Sequence, residues 1–310
     1  MKLGLLFSGQ GSQKPGMGLD FLSDPLFSEL ISAESAASKL NLRKIMASED
    51  DELKETKNVQ PALVAVSYDI YRMLQRDLPQ MPVAAMAGLS LGEYGALMAS
   101  NSLSADEGLP LLADRGQYMQ DDADRIDSAM AAILNPDVSA VENVCDHYDQ
   151  VWVANYNSPK QLVIGGVSDQ VEQAAAELKE QQAAKRVVVL RVSGAFHTPL
   201  FNQAREKMHQ RLQSVHFAEP TVPVISNTLV QPFAADDIAT VMERQLAVPT
   251  HFGEDLQYMV DHERIDATLE IGLGKTLTRF AKQVAPTIAH DHISTLADYE
   301  KYVKEHPEWN

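Results

Sequence analysis

The chain has 310 residues, 45% hydrophobic and 22% charged, enough for one large core with a smaller unit attached, because single cores stop growing near about 250–300 residues. A net charge of −17, with acidic stretches at residues 48–55 and 121–127, disfavours nucleic acid, since phosphate backbones are bound by basic surface. The single cysteine, Cys145, excludes an internal disulfide and a cysteine-rich metal site. No apolar run approaches the ~18–20 residues of a membrane span, and the opening MKLGLLFSGQ turns at glycine too early for a signal region, so a cytoplasmic protein without a membrane partner is expected.

In chain order, residues 2–7 predict a buried strand entering the turn GQGSQKPGMG, and residues 60–75 an amphipathic helix. Residues 83–88 read as a second apolar strand that leads directly into the helical stretch SLGEYGALMAS, and residues 104–125 as a long helix. The pattern then changes to strand 128–134, helix 137–148, strands 151–156 and 161–166, helix 168–181 and strand 185–192. That β-α-β-β-α-β order is the ferredoxin-like split arrangement. Alternation resumes with a helix from about residue 197, a strand at 222–226, helices near 236–246 and 252–262, a strand at 267–272 and a helix from 275. The expected fold is α/β: an α/β-hydrolase-like large domain with a parallel sheet (1–124 and 195–310) and an inserted ferredoxin-like small subdomain (125–194).

Gly88-Leu89-Ser90-Leu91-Gly92 fits G-x-S-x-G, a strand-to-helix turn that exposes a serine hydroxyl while small residues avoid clashes in the bend. The Leu91 N–H at the following helix start suits an oxyanion. Gln10, after the first strand, is a second donor, because parallel strands deliver their loops to one edge. The bare pattern equally allows Ser90 to act only as a helix cap. Gly9-Gln10-Gly11-Ser12 lacks the third glycine of a dinucleotide fingerprint, and Gly274-Lys275-Thr276 lacks the first glycine of a P-loop, so no nucleotide cofactor is expected.

Among nine histidines, His197 follows an apolar strand and the turn Ser193-Gly194, where a general base or a helix-capping residue could sit. His209 and His216 read as surface residues, and His290 with His292 as part of a polar stretch; neither pair suggests a metal. Arg115 interrupts a mostly apolar helix. Its guanidinium could hold a substrate carboxylate in a bidentate pair, although spacing alone favours a surface ion pair with Glu107 or Asp121. Lys160, Lys185 and Arg186 are the weak candidates for meeting a phosphate.

Taken together, GQGSQ (9–13), VQPAL (59–63), GLSLGEY (88–94), RGQYMQ (115–120), AMAAI (129–133), ANYNSPKQLVIGG (154–166), VSGAFHTPL (192–200), PVISN (223–227), RQLAVP (244–249) and EIGLGKTLT (270–278) resemble the malonyl-CoA:acyl carrier protein transacylases of bacterial fatty acid synthesis. The resemblance runs over nearly the whole chain. It implies a ping-pong transfer in which Ser90, deprotonated by His197, takes the malonyl group from malonyl-CoA and passes it to the phosphopantetheine thiol of a holo acyl carrier protein, with no bound cofactor. It further implies an oxyanion hole from the N–H groups of Gln10 and Leu91, the malonyl carboxylate on Arg115, and His197 oriented by the Gln245 carbonyl instead of a triad aspartate. Phe196 matches a bulky position that disfavours methylmalonyl groups, and Asn157 and Gln60 match supporting positions. Two departures stand out: Leu89 where most relatives carry histidine, and Leu273 where proline is usual. Competing readings are a thioesterase or esterase, which Arg115 opposes, and a non-catalytic carrier-docking module, which the intact Ser90, His197 and Arg115 oppose.

Overall fold

The structure, a computed structural model, describes residues 1–190 and 192–310. Strand β1 (Leu3–Phe7) is buried at every position, as a strand covered on both faces must be. Helices α1 (Pro25–Ser38), α2 (Leu42–Ala47) and α3 (Thr56–Asp77) follow, then β2 (Val83–Gly88), α4 (Gly92–Ala99) and α5 (Ala105–Arg125). The chain next builds β3 (Ser128–Pro136), α6 (Val138–Asp146), β4 (Val151–Ser158), β5 (Gln161–Val167), α7 (Ser168–Glu180) and β6 (Ala184–Val189). It closes with α8 (Asn202–Leu212), β7 (Val224–Ile225), α9 (Ile238–Arg244), α10 (Phe252–Tyr258), β8 (Ala267–Ile271), α11 (Thr276–Val284), β9 (Ala289–Ile293) and α12 (Leu296–Glu305).

Two sheets result. The larger is parallel in the order β7-β2-β1-β8-β9, and the smaller is antiparallel in the order β4-β5-β3-β6. The largest apolar cluster packs β1, β2 and β8 against α1, α3, α4 and α5, and a second fills the space beneath the small sheet with residues such as Ile133, Val141 and Ile164. The two units meet where β4 pairs with the segment before α10: Thr250 N–H donates to the Ala154 carbonyl (3.0 Å) and Tyr156 N–H to the Thr250 carbonyl (2.8 Å). This seam brings Asn155 and Asn157 of β4 to the edge of the larger unit.

Several expected elements shift. The strand at 222–226 shrinks to Val224–Ile225, and the helix expected to 262 ends at Tyr258 and continues as a π turn over Met259–Glu263. The strand expected over 185–192 is Ala184–Val189; residue 191 lies outside the described residues. No helix starts at His197. A 3-10 turn opens with Pro199, and α8 begins only at Asn202, so His197 precedes the helix instead of capping it. Helix α1, with Pro25 at its first turn and the Asp24 carboxylate accepting from Leu26 and Phe27 N–H, carried a legible start signal. The polar stretch holding His290 and His292 is edge strand β9, where only one neighbour demands apolar residues.

Candidate active site

At the end of β2 the chain reverses through Leu89, Ser90 and Leu91 into α4. Ser90 sits at φ 53°, in the left-handed region that non-glycine residues seldom occupy and that needs support from its surroundings. Asn227, just past β7, supplies it: the Ser90 N–H donates to Asn227 Oδ1 (2.6 Å), and Asn227 Nδ2 donates to the Gly88 carbonyl (2.8 Å). One amide therefore clamps the backbone on both sides of the bend. A Cβ on Gly92 would lie 2.1 Å from the Phe7 carbonyl oxygen, and one on Gly9 2.5 Å from that of Leu89. Only glycine at both places lets the loop after β1 close against the elbow. Ser90 does not cap α4, which has no side-chain cap; its Oγ accepts from Arg115 Nη2 at 3.3 Å.

His197, 5% exposed, also has a positive φ, 63°. Its Nδ1 lies 2.8 Å from the Gln245 carbonyl oxygen. A carbonyl only accepts, so Nδ1 carries the proton and Nε2 keeps its lone pair. Burial, reinforced by the nearby Arg115 charge and opposed by the Gln245 hydrogen bond, lowers the His197 pKa to about 4, so the imidazole is neutral at neutral pH. Ser90 and His197 face one cavity of about 380 Å³. Among the described hydrogen bonds none joins them, a looseness common before substrate closes a site.

Arg115 departs most from the spacing-based expectation of a surface ion pair. It is 1% exposed, and its guanidinium donates to Gln60 Oε1 (2.7 Å) and Gln245 Oε1 (2.8 Å) besides Ser90 Oγ. Glu107 bonds instead to Ser104 and His216, and Asp121 pairs with Lys207. No carboxylate among the described residues forms an ion pair with Arg115, and its buried Nε has no hydrogen-bond partner among them. A desolvated cation held by neutral acceptors favours an incoming anion.

Gln10 and Leu91 line the same cavity, as do Phe196 and Asn157. Among the described residues neither the Gln10 nor the Leu91 N–H has a backbone or side-chain acceptor, whereas the Gly11 N–H is taken by Gln13 Oε1 (2.7 Å). Phe196 packs against Phe201 with ring centroids 5.1 Å apart, and Asn157 Oδ1 is buried without a partner. Gln60 and Gln245, both fully buried, stand behind the wall and act on it through Arg115 and His197. Leu89 also lines the cavity, so the departure from histidine puts an apolar side chain there. Lys160, Lys185 and Arg186 are absent from the lining.

Sequence reasoning missed the polar layer beneath the elbow. Glu93 Oε1 accepts from the Asn227 N–H (2.6 Å), Glu93 Oε2 accepts from Gln245 Nε2, and Asp255 Oδ2 accepts from Asn227 Nδ2 (2.7 Å). Burial pushes the Glu93 carboxyl up to about 8 and that of Asp255 well above its ordinary value. A charged residue in the first turn after the elbow, inside the otherwise apolar GEYGALMA, was the available signal.

The family profile described as an acyl transferase domain matches residues 5–295. The chain belongs to that family. It is 33% identical over 304 residues to the malonyl CoA-acyl carrier protein transacylase of Haemophilus influenzae, covering 96% of this chain and 97% of that protein. The crystal structure of MCAT from Streptococcus pneumoniae is similar with a TM-score of 0.92 and 37% identity, over 98% of this chain and 99% of that one. A malonyl-transacylase solved with its type II PKS acyl-carrier protein is similar with a TM-score of 0.93 and 30% identity, over 98% and 100% of the two chains.

Proposed function

We propose that this acyltransferase moves a malonyl group from malonyl-CoA to the phosphopantetheine thiol of an acyl carrier protein through a malonyl ester on Ser90. The observation that carries the reading is Arg115: a buried guanidinium without a carboxylate partner among the described residues, bonded to the serine oxygen inside the cavity. A substrate bearing its own carboxylate completes that site, and a neutral acyl group leaves the cation unpaired.

In the first half-reaction Ser90 Oγ attacks the thioester carbonyl while His197 Nε2 takes the hydroxyl proton. The Gln10 and Leu91 N–H groups hold the resulting oxyanion. Collapse breaks the C–S bond, and the imidazolium returns its proton to the leaving thiolate. In the second half-reaction His197 deprotonates the carrier thiol, which attacks the malonyl ester, and the proton returns to Ser90. The Gln245 carbonyl keeps the ring in the reactive tautomer without a buried negative charge. Phe196 narrows the space beside the acyl α-carbon, and Asn157 offers an unpaired acceptor to the incoming substrate.

The same proposal reads the chain as a discontinuous α/β-hydrolase-like domain (1–124 and 195–310) carrying a ferredoxin-like insert (125–194). The strand order β4-β5-β3-β6 with α6 and α7 as crossovers supports the second description. A cytoplasmic setting belongs to it too; no helix among the described residues is long and apolar enough to cross a membrane.

The test is intact-protein mass spectrometry of wild type and Ser90→Ala after mixing with malonyl-, acetyl- or methylmalonyl-CoA. A malonyl-sized adduct on wild type alone, discharged by holo carrier protein, is the expected result. Release of free malonate at a rate independent of carrier would turn the assignment to a hydrolase, and no adduct from any donor would turn it to a docking module.

A further inference from the structure

Gln245 is fully buried and, besides its N–H bond to the Val241 carbonyl, makes four polar contacts within the site. Its carbonyl accepts from His197 (2.8 Å), its Oε1 accepts from Arg115 (2.8 Å), and its Nε2 donates to the Ser90 carbonyl (3.0 Å) and to Glu93 Oε2. Arginine only donates and a carbonyl only accepts, so a single orientation of the amide satisfies all its partners. Glu93 lies outside the cavity lining and cannot touch substrate. Both of its oxygens face N–H donors, Gln245 Nε2 on one side and the Asn227 backbone on the other. A carboxyl group accepts at both oxygens, whether or not it carries a proton. An amide accepts at one only.

We propose that Glu93 is a positioning residue for the transfer reaction: by accepting from Gln245 it fixes that amide with its oxygen toward Arg115, and so holds the carboxylate-binding guanidinium and the base on one frame. The inference rests on the malonyl-transfer reading. With glutamine at position 93, one of the two N–H donors meets another donor. Turning the Gln245 amide over removes that clash but sets its oxygen against the Ser90 carbonyl and its NH₂ against the Arg115 guanidinium, which is displaced.

The experiment is a double-mutant cycle with Glu93→Gln and Gln245→Ala, alone and together, each checked for cooperative thermal unfolding. It reads the malonyl-to-acetyl ratio of Ser90 labelling rates, with kcat and KM for malonyl-CoA measured separately. Each single change should lower the ratio roughly ten-fold, the effect of losing one charge-assisted hydrogen bond, mainly through KM. The double variant should fall no further, because both changes remove the same link. A folded Glu93→Gln protein with the wild-type ratio, or losses that multiply in the double variant, would overturn the proposal. If Glu93→Gln does not fold, Gln245→Leu decides: a retained malonyl preference overturns the role of this amide, and a lost one supports it. Wild type serves as the control for the parent reading. If it takes no malonyl group, that reading fails and this one with it; if it is selective and Glu93→Gln is equally so, only the Glu93 role fails.

Discussion

Replacing Arg115 by alanine removes a cation whose neighbours are two glutamine oxygens and the Ser90 hydroxyl. A malonyl carboxylate in the cavity would lose its charged partner, and hydrogen bonds to charged groups contribute roughly 1.5–3 kcal/mol each. Taking about 3 kcal/mol for a buried pair, at about 1.4 kcal/mol per factor of ten, labelling of Ser90 by malonyl-CoA should slow about a hundredfold. Acetyl-CoA gains nothing from the guanidinium, so its labelling rate should hold or rise as the unpaired cation disappears. Stability is a separate matter. Gln60 Oε1 and Gln245 Oε1 lose a donor, about 1–3 kcal/mol each when left unsatisfied, while removal of an uncompensated buried charge acts in the opposite sense. The assay is therefore a ratio, malonyl over acetyl adduct formation by mass spectrometry on folded protein at equal concentrations, which cancels any loss of folded fraction. A ratio within three-fold of wild type would refute the assignment of Arg115 to the carboxylate.

The neutral imidazole is the reactive form of His197, and burial with the Arg115 charge holds its pKa at about 4. Ser90 labelling should accordingly stay level as pH falls through 6.5 and decline only toward about 4; an acid limb centred near the ordinary histidine value of 6.5 would contradict it. Between α1 and α3, Glu34 and Asp69 are buried together without described partners, near Arg72 and Asp106, and burial raises Glu34 to about 8 and Asp69 well above its usual range. Carboxyls raised in the fold stabilise fully below their unfolded pKa of about 4 and lose that contribution as pH climbs through the folded value. The melting temperature of Glu34→Gln relative to wild type should thus rise between about pH 5 and pH 8, and a constant difference would count against the pair. Gly92→Ala forces a methyl group to 2.1 Å from the Phe7 carbonyl oxygen. Urea unfolding should show a loss at the top of the usual overpacking range, about 3 kcal/mol, and a change under about 1 kcal/mol would mean that the elbow relaxes freely.

Ser90 and His197 could be picked out from the sequence because each stands at a change of pattern, where a strand gives way to a turn. Arg115 could be noticed there, but its spacing alone left it a surface pair, and only the family resemblance pointed it to the carboxylate. Its spacing to Glu107 and Asp121 suits a surface pair, and only the packing of α5 against α3 and the elbow turns it inward to Gln60 and Gln245. Asn227 and Asp255 were silent, and Glu93 offered only a charge in an apolar turn, because their partners lie 28 to 152 residues away along the chain. Local periodicity carries no information about such contacts.

The sequence by itself determined the α/β alternation, the change to β-α-β-β-α-β after residue 125 and the strand-to-helix turn at Ser90, because these follow from apolar periodicity and from turn residues acting over a few positions. The tertiary structure decided the order in which the strands pair, the left-handed backbone of Ser90 and His197, the burial of Arg115 without a carboxylate and the amide that links it to the base. Those features depend on which distant groups share a dry interior, where each buried donor must find an acceptor, and that requirement arises only once the chain has closed on itself.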